Sequence, residues 1–169
     1  MNPKTNATED ETGLAMRAND FSISNQQFQQ TVDGFVLAGY SQEEAVQRTK
    51  TLLSEKYAMY QEALQHGFEG RLDHVLEQME QTKAGIESAS NRGDYEGFLE
   101  GIGMTSDEYW ESQIDNMMVY DAIHCYQESL KEAYEIPDVT PEEAQQQWED
   151  YYQACVDQAV EKQEIEFLR

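Results

Sequence analysis

From Phe21 onward the apolar positions recur at helical spacing. Phe28, Val32, Phe35 and Val36 fall at i, i+4, i+7 and i+8, one helix face that stops at Gly39. Ser24 with Gln27 supplies a capping box ahead of that face. Ser41-Gln42-Glu43-Glu44 is a second box; it opens a long helix carrying Ala45, Leu52, Leu53, Tyr57, Tyr60 and Leu64, halted at Gly67. A third helix runs from Arg71 to about Ser90, with Leu72, Val75, Leu76, Met79 and Ile86 inward. After the polar, turn-like stretch Ser88–Gly93, a short helix over Tyr95–Ile102 closes on Gly101 and Gly103, the latter expected in the left-handed conformation.

Thr105-Ser106-Asp107-Glu108 then caps a long helix that reaches about Tyr134 and carries Tyr109, Ile114, Met117, Met118, Ala122, Cys125, Tyr126 and Leu130. Pro137 interrupts the pattern. Thr140-Pro141-Glu142-Glu143 joins an N-cap, a proline at the first helical position and a capping-box glutamate, and opens a last helix with Ala144, Trp148, Tyr151, Tyr152, Cys155, Val156 and Ala159. The tail Glu164–Arg169 alternates polar and apolar residues, as a short strand or a frayed turn does. No two runs of β-branched residues flank a hairpin turn, so the expected fold is all-α with five to six helices.

Residues 1–20 hold scattered Asn, Thr, Asp and Glu with almost nothing to bury, which predicts a disordered polar tail or tether that folding does not need. Residues 21–169 are expected to form a single helical domain.

Charge narrows the choice of partner. The chain has 11 basic residues against 34 acidic ones, a formal net charge of −23. Nucleic-acid backbones and anionic membrane surfaces need cationic contacts, so neither is an expected partner. Such a field instead repels acidic partners and steers basic ones. No apolar run approaches the roughly 20 residues that span a bilayer. The start, MNPKTNATEDETG, lacks the apolar region of a signal peptide. Either the protein stays in the cytoplasm, or a signal has been removed. Two cysteines, Cys125 and Cys155, are too few for a disulfide framework and are expected as two buried thiols.

Candidate chemistry is sparse. His74 with Glu77, and Asp121, His124 and Glu128, each place an imidazole and carboxylates within a helical turn, the spacing a two-ligand metal site needs. Neither set has a third ligand of clear standing, and carboxylates this abundant produce such pairs by chance, so no metal or other cofactor is expected. His66, beside Gly67, falls at a helix C-terminus where a cation is favoured. Cys125 follows His124 directly, but adjacent helical residues point in different directions. There is no GxSxG, phosphate loop or dinucleotide fingerprint, and no enzyme activity is expected.

The apolar content says more. Seven Met, ten Tyr, six Phe and two Trp are many for so acidic a chain. Met adapts to varied apolar partners, and aromatic rings offer large contact area with a polar handle. Met117-Met118 and Tyr151-Tyr152 are adjacent pairs, so one of each should lie at the edge of a core or on a groove. Broad helical stripes otherwise face a core.

The order of these elements resembles the N-terminal, peptide-binding domain of the SurA/PrsA/trigger-factor group of chaperones. The resemblance runs from Phe21 to Tyr152: the entry Phe21-Ser22-Ile23-Ser24 into a first helix; Tyr60-Gln61-Glu62-Ala63-Leu64-Gln65-His66-Gly67 closing the long helix; the stretch FLEGIGMTSDEYW, Phe98–Trp110; and a closing helix from Val139 to Tyr152. It implies ATP-independent, non-enzymatic binding of apolar segments of unfolded or secreted proteins in a groove of helices, with basic clients preferred on grounds of charge. Trp110, Met117, Met118, Tyr151 and Tyr152 would supply the groove-edge contacts. It implies an extracytoplasmic setting, at the cell surface or envelope, with the signal peptide removed and any membrane attachment through an N-terminal anchor. No parvulin-type isomerase domain is expected after the last helix. A helical adaptor with one dedicated partner is the alternative, and a metal protein using Asp121, His124 and Glu128 ranks last.

Overall fold

The computed structural model describes residues 13–168. Six helices dominate: α1 (Asn25–Leu37), α2 (Gln42–Gln65), α3 (Leu72–Ser88), α4 (Arg92–Ile102), α5 (Ser106–Ala133) and α6 (Pro141–Lys162). Three short strands accompany them, β1 (Leu14–Arg17), β2 (Ser22–Ser24) and β3 (Glu166–Phe167). The starts predicted for α1, α2, α3, α5 and α6 are present, whereas α4 begins at Arg92, inside the stretch Ser88–Gly93 expected as a turn and ahead of the expected Tyr95, and Ser24 caps α1 without the return bond from Gln27 that a full capping box needs. Ser24 Oγ accepts from Gln27 N–H at 3.1 Å, and Thr105 and Thr140 each form a complete capping box with Glu108 and Glu143. Ser41 does the same with Glu44.

The chain falls into two compact units, Met1–Glu62 with Ile136–Arg169, and Ala63–Glu135. In the first unit β1 lies between β2 and β3, antiparallel to both. Met16 pairs with Ile23 on one side and with Phe167 on the other. Ala15, Met16 and Ile23 pack with Phe28, Val32, Ala45 and Leu53 as a buried core. The expectation of a disordered tail over 1–20 therefore fails for Leu14–Arg17, which form a buried central strand; residues 1–12 lie outside the described residues.

Two features hid this strand from a pattern reading. It is four residues long and contains no β-branched side chain, and its hairpin turns through Ala18–Phe21 with no glycine, closed by Ala18 N–H to Phe21 O at 2.9 Å. The hairpin is fastened to the end of α6 by the fully buried Gln163. Its side-chain amide donates to Asp20 Oδ2 at 2.8 Å, and its Oε1 accepts from Asp20 N–H at 2.9 Å. The short strand suggested for the tail is present as β3.

In the second unit α2 ends at Gly67, which takes φ +83° so that Phe68 N–H can reach back to Ala63 O at 2.8 Å. Gly103 ends α4 in the same way, with φ +68° and Met104 N–H bonded to Leu99 O at 3.1 Å. The left-handed conformation expected at Gly103 is therefore present. Among the described residues no helix is long and apolar enough to cross a membrane.

Candidate functional site

The second unit is framed by one buried carboxylate. Asp121, on α5, has a side chain only 3% exposed. Its Oδ2 accepts from the Arg71 backbone N–H at 2.8 Å and from Arg71 Nε at 3.0 Å; its Oδ1 accepts from Arg71 Nη2 at 2.8 Å. His74 Nδ1 lies 2.9 Å from Oδ1. The Arg71 hydrogen bonds hold the Asp121 carboxyl well below the usual carboxylate range, against the opposing effect of its burial. Because Arg71 is the N-cap position of α3 and has no side-chain cap of its own, Asp121 supplies that cap from across the unit.

His74 and Asp121 were candidates in two separate metal-spacing pairs, and the structure brings them together around Arg71. The Arg71 guanidinium lies against both Asp121 oxygens, on the side from which a metal ion would approach. Among the described residues there is no group of three or more His, Cys, Asp or Glu side chains placed to hold one. His66, assigned to the α2 C-terminus, stacks on Tyr126 with ring centroids 4.8 Å apart. Cys125 and Cys155 are free thiols, but both are half-buried where full burial was expected, since each sits at the margin of its helix's inward stripe.

Helix α4 is unlike the others. It has no buried residue, and only Tyr95 and Leu99 of its apolar side chains are half-buried. Phe98, Ile102 and the following Met104 are 45%, 44% and 42% exposed. Tyr109, at the start of α5, receives the edges of Phe98 at 5.4 Å and Tyr95 at 6.4 Å. Beneath α4 a cavity of about 260 Å³ opens between α3, α4 and the first turns of α5, lined by Ile86, Tyr95, Leu99 and Trp110 and bordered by Lys83, Glu87, Glu96 and Asp107. Its cations are engaged: Lys83 with Glu80 at 3.3 Å and Asp107 at 3.5 Å, Arg92 with Glu96 at 2.8 Å. Glu96 and Asp107 are engaged by the same pairs, so the rest of the lining is apolar apart from the carboxylate of Glu87 and the hydroxyls of Thr105 and Ser106.

The expected groove residues divide between the units. Trp110 is buried on α5, so it floors the cleft and does not rim it. Met117 and Met118 are both half-buried further along α5. Tyr151 is 41% exposed and Tyr152 half-buried on α6, where both pack on Trp148. Outside the cleft lining, Phe98 and Ile102 on α4 and Met104 just beyond it are exposed; the sequence reading placed the first two on a short helix without assigning them to a site. No sequence signal marks their exposure, which follows from how deeply α4 packs. Compared with protein families, curated proteins and solved structures, the chain matches none.

Proposed function

We propose that the protein binds apolar segments of unfolded or extended polypeptides in a chaperone-like manner, without ATP, cofactor or catalytic step. The observation that carries this reading is the exposure of Phe98 and Ile102 on a helix that buries nothing completely, and of Met104 just beyond its end. Clustered apolar side chains on a surface otherwise rich in charge mark contact sites for other chains. A chain of net charge −23 suits segments with basic flanks. The resemblance of the helix order over Phe21–Tyr152 to the SurA/PrsA/trigger-factor group supports the same reading. It alone supports a site of action outside the cytoplasm, which fractionation of the source cells tests.

The functional test is suppression of aggregation of two reduced, denatured proteins, one basic and one acidic. The wild type is expected to protect both at a few-fold molar excess, the basic one better. If the wild type protects neither, an adaptor with one dedicated partner becomes the better account.

A further inference from the structure

Helix α4 contains Gly93, Gly97 and Gly101, four residues apart and so on one face. None has a positive φ, and a Cβ added at any of them would meet nothing within 4 Å. No steric demand explains them. Gly97 lies in the helix interior, where glycine lowers the helical population by about fivefold relative to alanine; Gly93 and Gly101 fall in the first and last turns, where the penalty is smaller, and an isolated helix of this length is not stable in water. What holds α4 down is the half-burial of Tyr95 and Leu99, a 2.9 Å hydrogen bond between Tyr95 Oη and Ser106 Oγ, and ring contacts to Tyr109. The helix is bounded by a turn at Ala89–Asn91 and by the left-handed Gly103. On the floor of the cleft, Trp110 is only 9% exposed and its Nε1–H is buried without an acceptor. An unmet buried donor weakens the closed arrangement.

We propose that α4 is a built-in occupant of the α3–α5 cleft that a client segment displaces. The client is an amphipathic stretch with apolar residues spaced as Tyr95, Leu99 and Ile102 are, carrying a basic residue toward Glu87. Displacement uncovers Ile86, Tyr109 and Trp110, and a client backbone carbonyl or water then meets the indole N–H. The glycines set the closed state low enough in stability for a client to compete with it. This inference rests on the client-binding reading and adds where binding occurs and what gives way.

The test uses the full chain, a Gly93→Ala/Gly97→Ala/Gly101→Ala variant, and an 11-residue synthetic peptide that keeps the Tyr95, Phe98, Leu99 and Ile102 side chains of α4 while carrying alanine for its glycines and lysine for its acids. In the wild type the amides of α4 are expected to exchange with solvent by local opening, faster than those of α3 and α5, and faster still with the peptide present. The alanine variant should slow that exchange by about fivefold or more and weaken peptide binding by a similar factor, set chiefly by the interior Gly97. Peptide binding is read both by exchange and by Trp110 emission in a Trp148→Phe background, so a poorly folded variant of one kind does not decide the matter. α4 amides as slow as those of α5, or equal peptide binding by wild type and alanine variant, would overturn the proposal. Client protection retained in full by the alanine variant overturns displacement and leaves client binding standing. Peptide binding that responds to the glycines, in a wild type that protects no client, supports displacement and removes only the chaperone reading.

Discussion

Asp121 caps the helix that Arg71 begins, although the two residues are 50 positions apart: one carboxylate oxygen takes both the Arg71 backbone N–H and Nε, and the other takes Nη2. Gly70, just before Arg71, comes so close to α5 that a Cβ there would run into the Met118 carbonyl. The Gly67–Arg71 loop is thus seated on α5 by a buried charge on one side and a backbone approach on the other. Both contacts are non-local, and they align α3 and α5 as the walls of the cleft under α4.

Replacing Asp121 by Asn should lower the stability of this unit by about 2–4 kcal/mol, because it removes the charge that satisfies Arg71 and weakens the cap on α3. Chemical denaturation followed by circular dichroism reads this loss. The effect also has a pH signature. The folded Asp121 carboxyl lies well below its unfolded value of about 3.9, so its contribution is fully present above that value and is lost as the pH falls toward the folded one. The difference in thermal midpoint between wild type and Asp121→Asn should therefore be constant near neutrality and shrink below about pH 4. A difference independent of pH down to pH 2 would contradict the ion pair.

The N-terminal strand reverses an expectation. A tail with nothing to bury could be cut without consequence, but Met16 is fully buried between two strands. Met16→Ala should cost about 2–4 kcal/mol, in the range of large-to-small core changes. A chain starting near Asn19 should melt several degrees lower than the intact one, with β2 and β3 no longer joined. An unchanged midpoint would show that β1 contributes nothing to the core.

Backbone conformation separates two glycines of α4. Gly103 has φ +68°, where a β-branched side chain is excluded, whereas Gly93 has an ordinary helical φ and open space around it. Gly103→Val should be clearly destabilising and Gly93→Val much milder. Thr105→Ala, which removes the side-chain half of the capping box beyond Gly103, should cost about 1 kcal/mol. Equal melting of the two valine variants would contradict the left-handed turn.

What the sequence made legible was local. Capping boxes at Ser41, Thr105 and Thr140 and the glycines at 39, 67 and 103 mark helix ends through bonds spanning three to five residues, so composition alone locates them. The contacts that arrange the helices were not legible. Arg71 with Asp121 and Met16 with Phe167 join distant positions. Nothing in the periodicity of either partner announces the other. The cleft was half visible: Phe98 and Ile102 stood out as apolar, but their exposure follows from the depth to which α4 packs, a tertiary property. Trp110 was misplaced for the complementary reason, since an aromatic on an amphipathic helix reads the same whether it floors a cleft or rims it.

Ionic strength separates the two forces assigned to client binding. Contact with Phe98, Ile102 and Met104 is apolar and is little affected by moderate salt, whereas attraction between basic clients and a −23 chain acts over distances that salt screens. Raising salt from about 10 mM to about 500 mM shortens the screening length from roughly 30 Å to below 10 Å. The preference for a basic over an acidic client should therefore fall toward unity, through a slower association with the basic one, while protection of the acidic client is kept or improved as mutual repulsion weakens. Stopped-flow association rates for the two clients at both salt levels provide the measurement. If protection of both disappears together at high salt, binding is electrostatic throughout, and the exposed α4 row is not the contact surface.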